Sequence, residues 1–298
     1  MNLLGSDDLT SEGIKKIFDL ADRLKSGKED LALKDGFTIA LLFEEPSTRT
    51  LLSLEVAAAQ LRGTAIYLDM EHTQTARGET LGDTAKVVSG YCDMAAARMK
   101  SHKSLLEFAE NSSIPVINAL TDLEHPTQAL ADMYTIKQVK PNLKKLKIAF
   151  LGDIATNTAN SLMITAAKLG SEIVLIGPKE CKPNPMYLNK AKEFSKVQVT
   201  DSIENGLDEA DIIYTDTYVS MGKEKESEKR RKLFASYQVN SKLLEYADAN
   251  AMVMHCLPAH RGEEITAEVL DGQRSIVWEQ ARNKLLLNKA IMLYLSEK

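Results

Sequence analysis

A short polar segment, Ser47-Thr-Arg-Thr50, lies between an apolar run and a stretch with helical spacing. The first turn of a helix offers unpaired backbone N–H groups and a partial positive charge. Two kinds of side-chain donor, hydroxyl and guanidinium, add to these groups, so the segment has what a phosphate needs. An ordinary serine N-cap followed by an exposed arginine explains the same residues equally well. A Walker-type loop is excluded, because Gly-x-x-x-x-Gly-Lys does not occur.

A second polar segment, Glu124-His-Pro-Thr-Gln128, has residue types that could polarise a carbonyl group. It opens a predicted helix, so His125 should be partly exposed and near positive helix potential, which favours neutral imidazole. A neutral imidazole can donate one N–H to a carbonyl oxygen, and Gln128, one turn later, can bind an NH2 group. Arg98, at the end of a predicted strand, adds a cation. Considered alone, a capping histidine and a surface arginine are the plainer interpretations.

The second half of the chain offers side chains that could bind an amine. Asp216 follows a predicted strand, where a carboxylate could bind an ammonium group, although an aspartate that caps a turn is common. His255-Cys-Leu-Pro-Ala-His260 suggests zinc, but no second ligand cluster accompanies it, and catalytic zinc usually has three protein ligands. A nucleophilic cysteine is disfavoured too, since nothing resembles a Cys–His–Asn arrangement. Residues 152–161 join a strand to a helix without a dinucleotide fingerprint, so an asparagine-rich turn is the plain interpretation.

The elements that must position these residues alternate between apolar and amphipathic runs, which predicts βα units and parallel sheets. The predicted strands are 37–43, 65–69, 94–98, 116–120, 147–151, 172–176, 197–200, 211–215, 252–256 and 276–278. The predicted helices are 10–24, 47–62, 80–88, 103–111, 126–139, 157–169, 185–194 and 281–295. The polar, proline-broken segment 140–146 is the best domain boundary. We therefore expect an α/β fold of two parallel-sheet domains, with the active site in the cleft between them.

Composition narrows the function classes. The chain has 298 residues, 44% hydrophobic and 27% charged, which is typical of a globular protein of about two domains. A net charge of −5 without a long basic block argues against nucleic acid as a partner. Three cysteines, no signal-like N-terminus and no long apolar run predict a cytoplasmic protein without a membrane span. The charge-dense residues 222–233 are interpreted as a solvated helical face.

Two motifs together resemble a known family. Phe43-Glu-Glu-Pro-Ser-Thr-Arg-Thr50 fits Phe-x-Glu-x-Ser-Thr-Arg-Thr, and His125-Pro-Thr-Gln128 follows it. They resemble the aspartate and ornithine carbamoyltransferases, and the resemblance runs from the first helix to the last. It implies that phosphate is held by Ser47, Thr48, Arg49 and Thr50, and that the carbamoyl group is contacted by Arg98, His125 and Gln128. Leu51 departs from the family, which usually has a basic residue there.

Two further motifs resemble the ornithine-specific members, namely Ser220-Met-Gly222 after Asp216 and His255-Cys-Leu-Pro258. The resemblance implies that Asp216, Ser220 and Met221 meet the amino-acid end of ornithine. Cys256 would lie beside the δ-amine, and Leu257 would offer its carbonyl. The family's asparagine for the α-carboxylate corresponds to Asn157, or to Asn160 if the alignment shifts. Where the family has an arginine near the carbamoyl group, this chain has Lys284, which could act as a point charge or be replaced by Arg282.

The resemblance implies transfer of the carbamoyl group of carbamoyl phosphate to the δ-amine of L-ornithine, without a metal or other cofactor. It assigns residues 1–140 to carbamoyl phosphate and 141–280 to ornithine, with helix 281–298 packing back on the first domain. Gln74 would reach an adjacent subunit, so the protein would be a trimer or a multiple of trimers. The alternatives are transfer to aspartate, putrescine or N-acetylornithine, or a non-catalytic anion-binding relative. The direction of the reaction in the cell, biosynthetic or degradative, stays open.

Overall fold

The computed structural model describes residues 1–219 and 226–297, so Ser220 and Met221 lie outside the described residues. The chain forms two compact units, Met1–Ala131 with Arg282–Lys298, and Asp132–Ala281. Each unit contains one sheet whose strands pair in parallel, which confirms the predicted α/β class with two parallel sheets. Among the described residues, no helix has the length and apolar character needed to cross a bilayer.

The sheet of the first unit has the strand order β2-β1-β3-β4. Its strands are β1 (Thr38–Phe43), β2 (Thr64–Asp69), β3 (Met94–Arg98) and β4 (Val116–Leu120). The helices between and before them are α1 (Ser11–Ser26), α2 (Thr48–Gln60), α3 (Leu81–Tyr91) and α4 (His102–Glu110). Central strands β1 and β3 are almost wholly buried, as expected for a parallel sheet covered on both faces. The order changes direction between β1 and β3, and ligands of such sheets bind beyond the carboxyl ends at that point.

The sheet of the second unit has the order β7-β6-β5-β8-β9. Its strands are β5 (Lys147–Leu151), β6 (Glu172–Ile176), β7 (Val197–Thr200), β8 (Ile212–Thr215) and β9 (Met252–His255). The helices of this half of the chain are α5 (Pro126–Val139), α6 (Asn157–Lys168), α7 (Pro185–Lys192), α8 (Ile203–Leu207), α9 (Ser227–Phe234), α10 (Ala267–Leu270) and α11 (Val277–Ser296). Here the order reverses at β5 and β8, which places the switch point beside Gly152 and Asp216.

One predicted element is wrong. Residues 276–278 were expected to form a strand, but α11 begins at Val277, and the only strand-like pairing nearby among the described residues is one bridge from Ser275 to Val253. The backbone N–H of Gln280 donates to the Ile276 carbonyl at 2.9 Å, so this apolar run forms the first turn of a helix. A run of three apolar residues has no period that separates a strand from a buried helical turn.

The C-terminal helix contacts helices of the first unit, which confirms the predicted return of this helix. Nδ2 of Asn288 on α11 donates to Oγ of Ser53 on α2 at 2.8 Å. Nζ of Lys289 donates to Oε1 of Gln60, at the end of α2, at 3.0 Å. This packing brings the preceding turn of α11, which carries Lys284, to the carboxyl edge of the first sheet.

Candidate active site

The segment Ser47–Thr50 lies where β1 ends and α2 begins, at the switch point of the first sheet. Oγ of Ser47 caps α2 by accepting the Thr50 N–H at 3.4 Å, while Thr48 and Arg49 are exposed. The first turn of α2 has no acidic residue, whereas α1 has Glu12 and α3 has Asp83 in theirs. The first turn of α2 therefore has no carboxylate to neutralise its positive potential. This helix end lies at the carboxyl edge of the first sheet, where an anion can bind.

Arg98 stands next to this segment because it is paired in register with Phe43 across β1 and β3. The pKa of Arg98 is lowered to about 10, mainly by burial, which outweighs the opposing charge of Glu45, and the positive charge of Arg49 acts in the same direction as burial. Two guanidinium groups close enough to repel each other gain stability when an anion binds between them. The structure thus brings together the predicted phosphate and carbamoyl contacts of this edge.

His125 is 5% exposed, so the expectation that it is partly exposed is wrong. The reason is α11, whose Lys284 covers the imidazole: Nζ lies 3.2 Å from Nε2 of His125 and 3.0 Å from Oε1 of Gln128. The pKa of His125 falls well below its usual value because of burial, and then because of the charges of Lys284 and Arg98. The imidazole is therefore neutral, as predicted. The cause differs from the predicted helix potential, because burial and two neighbouring cations lower the pKa.

The structure distinguishes between the two cations proposed for α11. Lys284 is 6% exposed and contacts both His125 and Gln128, whereas Arg282 is exposed. Lys284 therefore occupies the place next to the histidine and the amide.

The turn before His125 is held by Thr121 and Glu124, for which the sequence predicted no role in the turn. The Thr121 N–H donates to the Glu124 carbonyl at 2.9 Å, and Glu124 N–H donates back to Oγ1 of Thr121 at 3.2 Å. The buried Glu124 carboxylate accepts the backbone N–H of Ser6 at 2.9 Å, so the N-terminal segment anchors the turn. A threonine and a glutamate directly after a predicted strand were the available signal.

In the second unit, Asp216 and Cys256 lie together because β8 and β9 are neighbours, with Thr215 opposite His255. The Cys256 thiol donates to Oδ1 of Asp216 at 3.0 Å. Asp216 is 9% exposed, so this carboxylate is largely removed from water. Asp216, predicted at the amino-acid end of ornithine, and Cys256, predicted beside its δ-amine, are thus in contact with each other.

A buried polar network supports the segment that carries Cys256 and Leu257, and the sequence did not reveal it. Nδ1 of His255 accepts the Leu257 N–H at 2.8 Å, and Nε2 lies 3.1 Å from Oε1 of Glu264. The imidazole therefore carries its proton on Nε2 and donates it to the glutamate. Gln280 accepts the backbone N–H of His255 at 3.0 Å. These contacts hold Leu257 at a φ of +59°, a conformation that costs free energy for a residue with a side chain.

The side chains of Asp216, His255 and Cys256 lie within 4.8 Å of one another, which raises the question of a metal site. Both ring nitrogens of His255 already have partners, namely the Leu257 N–H and Glu264. This histidine could bind a metal only by giving up one of them, so the donor set does not fit a preformed zinc site.

The remaining predicted site residues differ in their exposure to solvent. Asn157 begins α6 and is partly exposed, and its Oδ1 accepts the Thr158 N–H at 2.8 Å, whereas Asn160 is 2% exposed. Gln74 lies in an exposed short helical turn, Gln74–Arg77, ahead of α3. Leu257 follows Cys256 directly and is partly buried.

The chain belongs to the aspartate/ornithine carbamoyltransferase family. The family's carbamoyl-P binding domain matches residues 1–138, and its Asp/Orn binding domain matches residues 144–295. An ornithine carbamoyltransferase of Hyperthermus butylicus is 45% identical over 300 aligned positions, covering 98% of this chain and 96% of the relative. One of Oceanobacillus iheyensis is 45% identical, covering 96% of this chain and 91% of the relative.

Solved structures agree with this assignment. The ornithine carbamoyltransferase from Pyrococcus furiosus superposes with a TM-score of 0.94 at 41% identity, covering 100% of this chain and 97% of that one. The anabolic ornithine carbamoyltransferase from Campylobacter jejuni gives a TM-score of 0.93 at 36% identity, covering 100% and 99%. The similarity therefore spans the full length in both sequence and fold.

Proposed function

We propose that this protein transfers the carbamoyl group of carbamoyl phosphate to the δ-amine of L-ornithine, which gives L-citrulline and phosphate. The observation that carries the proposal is the cluster of Arg49, Arg98, neutral His125 and Lys284 at one edge of the first sheet. Such a cluster combines charge for a phosphate with hydrogen-bonding groups for a carbonyl. The amine is inferred from the relatives, which are named ornithine carbamoyltransferases.

In this proposal the positive end of α2 receives the phosphate. The hydroxyls of Ser47, Thr48 and Thr50 and the guanidinium of Arg49 surround its oxygens, and Gln74 comes from a neighbouring subunit. Arg98, His125, Lys284 and Gln128 surround the carbamoyl group, where the Gln128 amide binds the NH2. The charge that develops on the carbonyl oxygen is then stabilised by groups already in place.

The second unit supplies the amine. Cys256 lies beside the side-chain nitrogen of ornithine, helped by the Leu257 carbonyl, while Asp216 meets the amino-acid end and Asn157 binds the α-carboxylate. Ser220 and Met221, outside the described residues, contribute to the same amino acid. An aspartate whose carboxylate accepts a thiol hydrogen at 3.0 Å presents both a charge and a hydrogen-bonding partner to an amine.

The reaction proceeds by attack of the neutral δ-amine on the carbamoyl carbon. A primary amine of this type has a pKa of about 10, so the protein must bind or create the neutral form. The C–N bond forms, the C–O bond to phosphate breaks, and phosphate leaves with its charge already neutralised. The amine proton passes to Asp216, Cys256 or the departing phosphate.

Holding both substrates in line can lower the barrier by up to ~7–11 kcal/mol. No metal or organic cofactor takes part in this scheme.

We assign residues 1–140, with 281–298, to carbamoyl phosphate and residues 141–280 to ornithine.

The protein is proposed to be a trimer or a multiple of trimers. Exposed apolar side chains support this, namely Leu52 and Val56 on α2 and Ile66 and Tyr67 on edge strand β2. Exposed edge strands with apolar residues usually have a partner. A cytoplasmic, biosynthetic role is proposed from the cysteines, which form no disulfide among the described residues, and from the anabolic relative in Campylobacter jejuni.

The test is a colorimetric citrulline assay of the purified protein with carbamoyl phosphate and ornithine, aspartate, putrescine or N-acetylornithine. Carbamoylation of ornithine alone is the expected outcome. Carbamoylation of a different amine would retain the carbamoyl phosphate assignment and reject the role of Asp216 with ornithine. Phosphate binding without turnover of any amine would identify the chain as a non-catalytic anion-binding relative.

A further inference from the structure

A second group of potential metal ligands lies in the turn that follows Cys256 and Leu257. One ligand atom from each of His260, Glu263 and Glu264 lies within 4.8 Å of the other two. Imidazole nitrogens and carboxylate oxygens are ligands that divalent first-row metal ions bind. Acidic residues often cluster without an ion, so a site here requires further evidence.

That evidence comes from Glu264, which is fully buried. Its Oε1 accepts the Nε2–H of His255 at 3.1 Å and the backbone N–H of His260 at 2.5 Å. Its Oε2 is buried as well, and no described residue donates a hydrogen bond to it. A buried carboxylate oxygen without a partner costs free energy, because its interaction with water has been lost. The oxygen therefore needs a partner that the described residues do not supply.

The surroundings of this oxygen favour a cation. Tyr218 has a buried hydroxyl that likewise makes no hydrogen bond with the described residues. Burial raises the pKa of Tyr218, and the negative charges of Glu264 and Glu263 act in the same direction. Negative charge at this place is thus incompletely compensated within the described part of the chain.

The distances suit an ion shared between side chains. Nδ1 of His260 lies 3.7 Å from Oε2 of Glu264, which is too long for a hydrogen bond. Two ligands that bind one ion at ~2.0–2.2 Å in tetrahedral geometry are about 3.4 Å apart, close to the observed 3.7 Å. Glu263 accepts from Nε of Arg231 at 2.9 Å through Oε2, and a carboxylate can ligate an ion through its other oxygen. The side chains of His260 and Glu263 are 48% and 30% exposed, so an ion can enter from solvent.

Backbone hydrogen bonds hold the turn in this shape. The Glu263 N–H donates to the His260 carbonyl at 2.9 Å, and the Gly262 N–H donates to the Ile265 carbonyl at 2.8 Å. Nε2 of Gln238 donates to the carbonyls of Gly262 and Glu263 at 2.8 and 3.0 Å. The ligands are therefore largely in place before an ion arrives, which lowers the cost of binding it.

We propose that His260, Glu263 and Glu264 bind one divalent first-row metal ion, with water completing its coordination, and that the ion stabilises this turn. Glu264 then joins the ion to His255, whose Nδ1 accepts the Leu257 N–H at 2.8 Å. The ion is structural and takes no part in the proposed reaction, so its binding does not depend on the carbamoylation of ornithine.

The first test uses Mn²⁺, because this ion prefers oxygen and nitrogen ligands and so disfavours the nearby thiol of Cys256. Full-length protein is treated with EDTA, dialysed and titrated with MnCl2 at pH 7.5, while electron paramagnetic resonance measures the free ion. One bound ion per chain is expected, with hyperfine coupling to an imidazole nitrogen in the pulsed experiment. His260→Ala should abolish that coupling, and His260→Ala and Glu263→Gln should each raise Kd at least about tenfold.

Two control variants locate the ion. His72→Ala removes an exposed histidine that pairs with a carboxylate, Asp69, and should leave Kd unchanged. Cys256→Ala removes a ligand atom from the cluster of Asp216, His255 and Cys256 and should also bind Mn²⁺ as the wild type does. Loss of binding in Cys256→Ala would place the ion in that other cluster and overturn the proposal. An unchanged Kd in His260→Ala, or binding without coupling to nitrogen, would overturn it as well.

Thermal unfolding tests the structural role. An ion that binds only the folded chain raises Tm, so saturating MnCl2 should raise the Tm of the wild type and leave that of His260→Ala unchanged. Equal shifts in the two proteins would show that the ion acts elsewhere. The citrulline assay reports separately on the proposed function, because a chain that binds Mn²⁺ through His260 without making citrulline would reject the reaction and keep the metal site.

Discussion

Asp216 and Cys256 are 40 positions apart, yet the thiol of one donates to the carboxylate of the other at 3.0 Å. A buried carboxylate needs a hydrogen-bonding partner or a charge, since leaving it without either costs several kcal/mol. The thiol and the backbone N–H of Thr217, which donates to the same Oδ1 at 2.7 Å, meet that need in the absence of substrate, and a bound amine would add a charged partner. At the residue scale, the proposed ornithine site thus contains a buried carboxylate that already accepts from a thiol and a backbone N–H, and an amine would add a charge-assisted hydrogen bond.

Asp216→Asn should therefore impair the use of ornithine more than the use of carbamoyl phosphate. The loss of a charged hydrogen bond costs about 1.5–3 kcal/mol, so kcat/KM for ornithine is expected to fall by about 10- to 100-fold. Steady-state kinetics with each substrate varied in turn would measure this. Asp271→Asn, which removes an exposed carboxylate paired with Arg261, is the matched control. Equal losses for both substrates would show that Asp216 supports the fold rather than the amine.

His125 gives the stability of the protein a defined pH dependence. Its pKa is strongly lowered in the folded state, mainly by burial, while the unfolded chain has the usual value of 6.5. Below pH 6.5 the unfolded state binds a proton that the folded state does not, so stability is lost as the pH falls. At pH 5.5 this loss is on the order of 1 kcal/mol for the one histidine.

Urea unfolding at pH 7.5 and 5.5 would test whether stability falls with pH in this direction. Between these two pH values the wild type should lose more free energy of unfolding than His125→Asn, by an amount on the order of 1 kcal/mol. The exposed His72, replaced in the same way, serves as the control. Parallel losses in the wild type and His125→Asn would mean that His125 binds a proton in the folded protein.

At the element scale, the N-terminus of α2 has two separable roles. Ser47 caps the helix, and the same helix end is proposed to bind the phosphate. An aspartate also caps helices and interacts favourably with the helix dipole, but its charge repels an anion.

Ser47→Asp is therefore expected to keep the free energy of unfolding near that of the wild type and to abolish measurable carbamoyl phosphate turnover. Ser47→Ala should lose about 1 kcal/mol of stability and only part of the activity. Thermal or urea unfolding together with the citrulline assay gives both quantities. Full activity in Ser47→Asp would leave the serine as a helix cap and nothing more.

At the scale of the whole molecule, a single chain exposes several apolar side chains of α2 and β2 to water, namely Leu52, Val56, Ile66 and Tyr67. Ile66 is 44% and Tyr67 42% exposed on edge strand β2. Ile66→Asp is expected to reduce the mass measured by light scattering to that of one chain. Val199→Asp is the matched control, because Val199 is 45% exposed on β7, the edge strand of the other sheet. Loss of assembly in Val199→Asp instead would move the interface to the second unit.

Gln74 lies in an exposed turn and is proposed to complete the active site of an adjacent subunit. Active sites shared between subunits can be tested by mixing two inactive variants. Arg49→Ala and Gln74→Ala proteins should each have low activity, since each lacks one contact to phosphate. Unfolded together and refolded, they should regain activity, because a site can then combine an intact Arg49 with an intact Gln74 from its neighbour. A refolded mixture no more active than its components would show that each chain completes its own site.

Most of the elements and all of the motifs could be recognised from the sequence alone. Alternating apolar and amphipathic runs predicted the strands of both sheets, with β3, β4, β5, β6 and β7 at the boundaries observed. This succeeded because buried parallel strands are short apolar runs between helices with a clear period. The run 276–278 failed because three apolar residues have no period, and the short helices α8 and α10 were missed for the same reason. The phosphate segment was recognisable because its residues are contiguous and one helix end positions them.

Tertiary structure decided what depends on residues far apart in the chain. The burial of His125 and the placement of Lys284 come from α11 returning to the first unit, a contact across 159 positions. The network of His255, Glu264 and Gln280 likewise needs β9 and the start of α11 in one unit. No local pattern encodes such contacts, because hydrogen-bond partners and dielectric surroundings are set by the packing of elements. The identities of the reactive groups are therefore local properties of this sequence, whereas their protonation states and donor roles are properties of its fold.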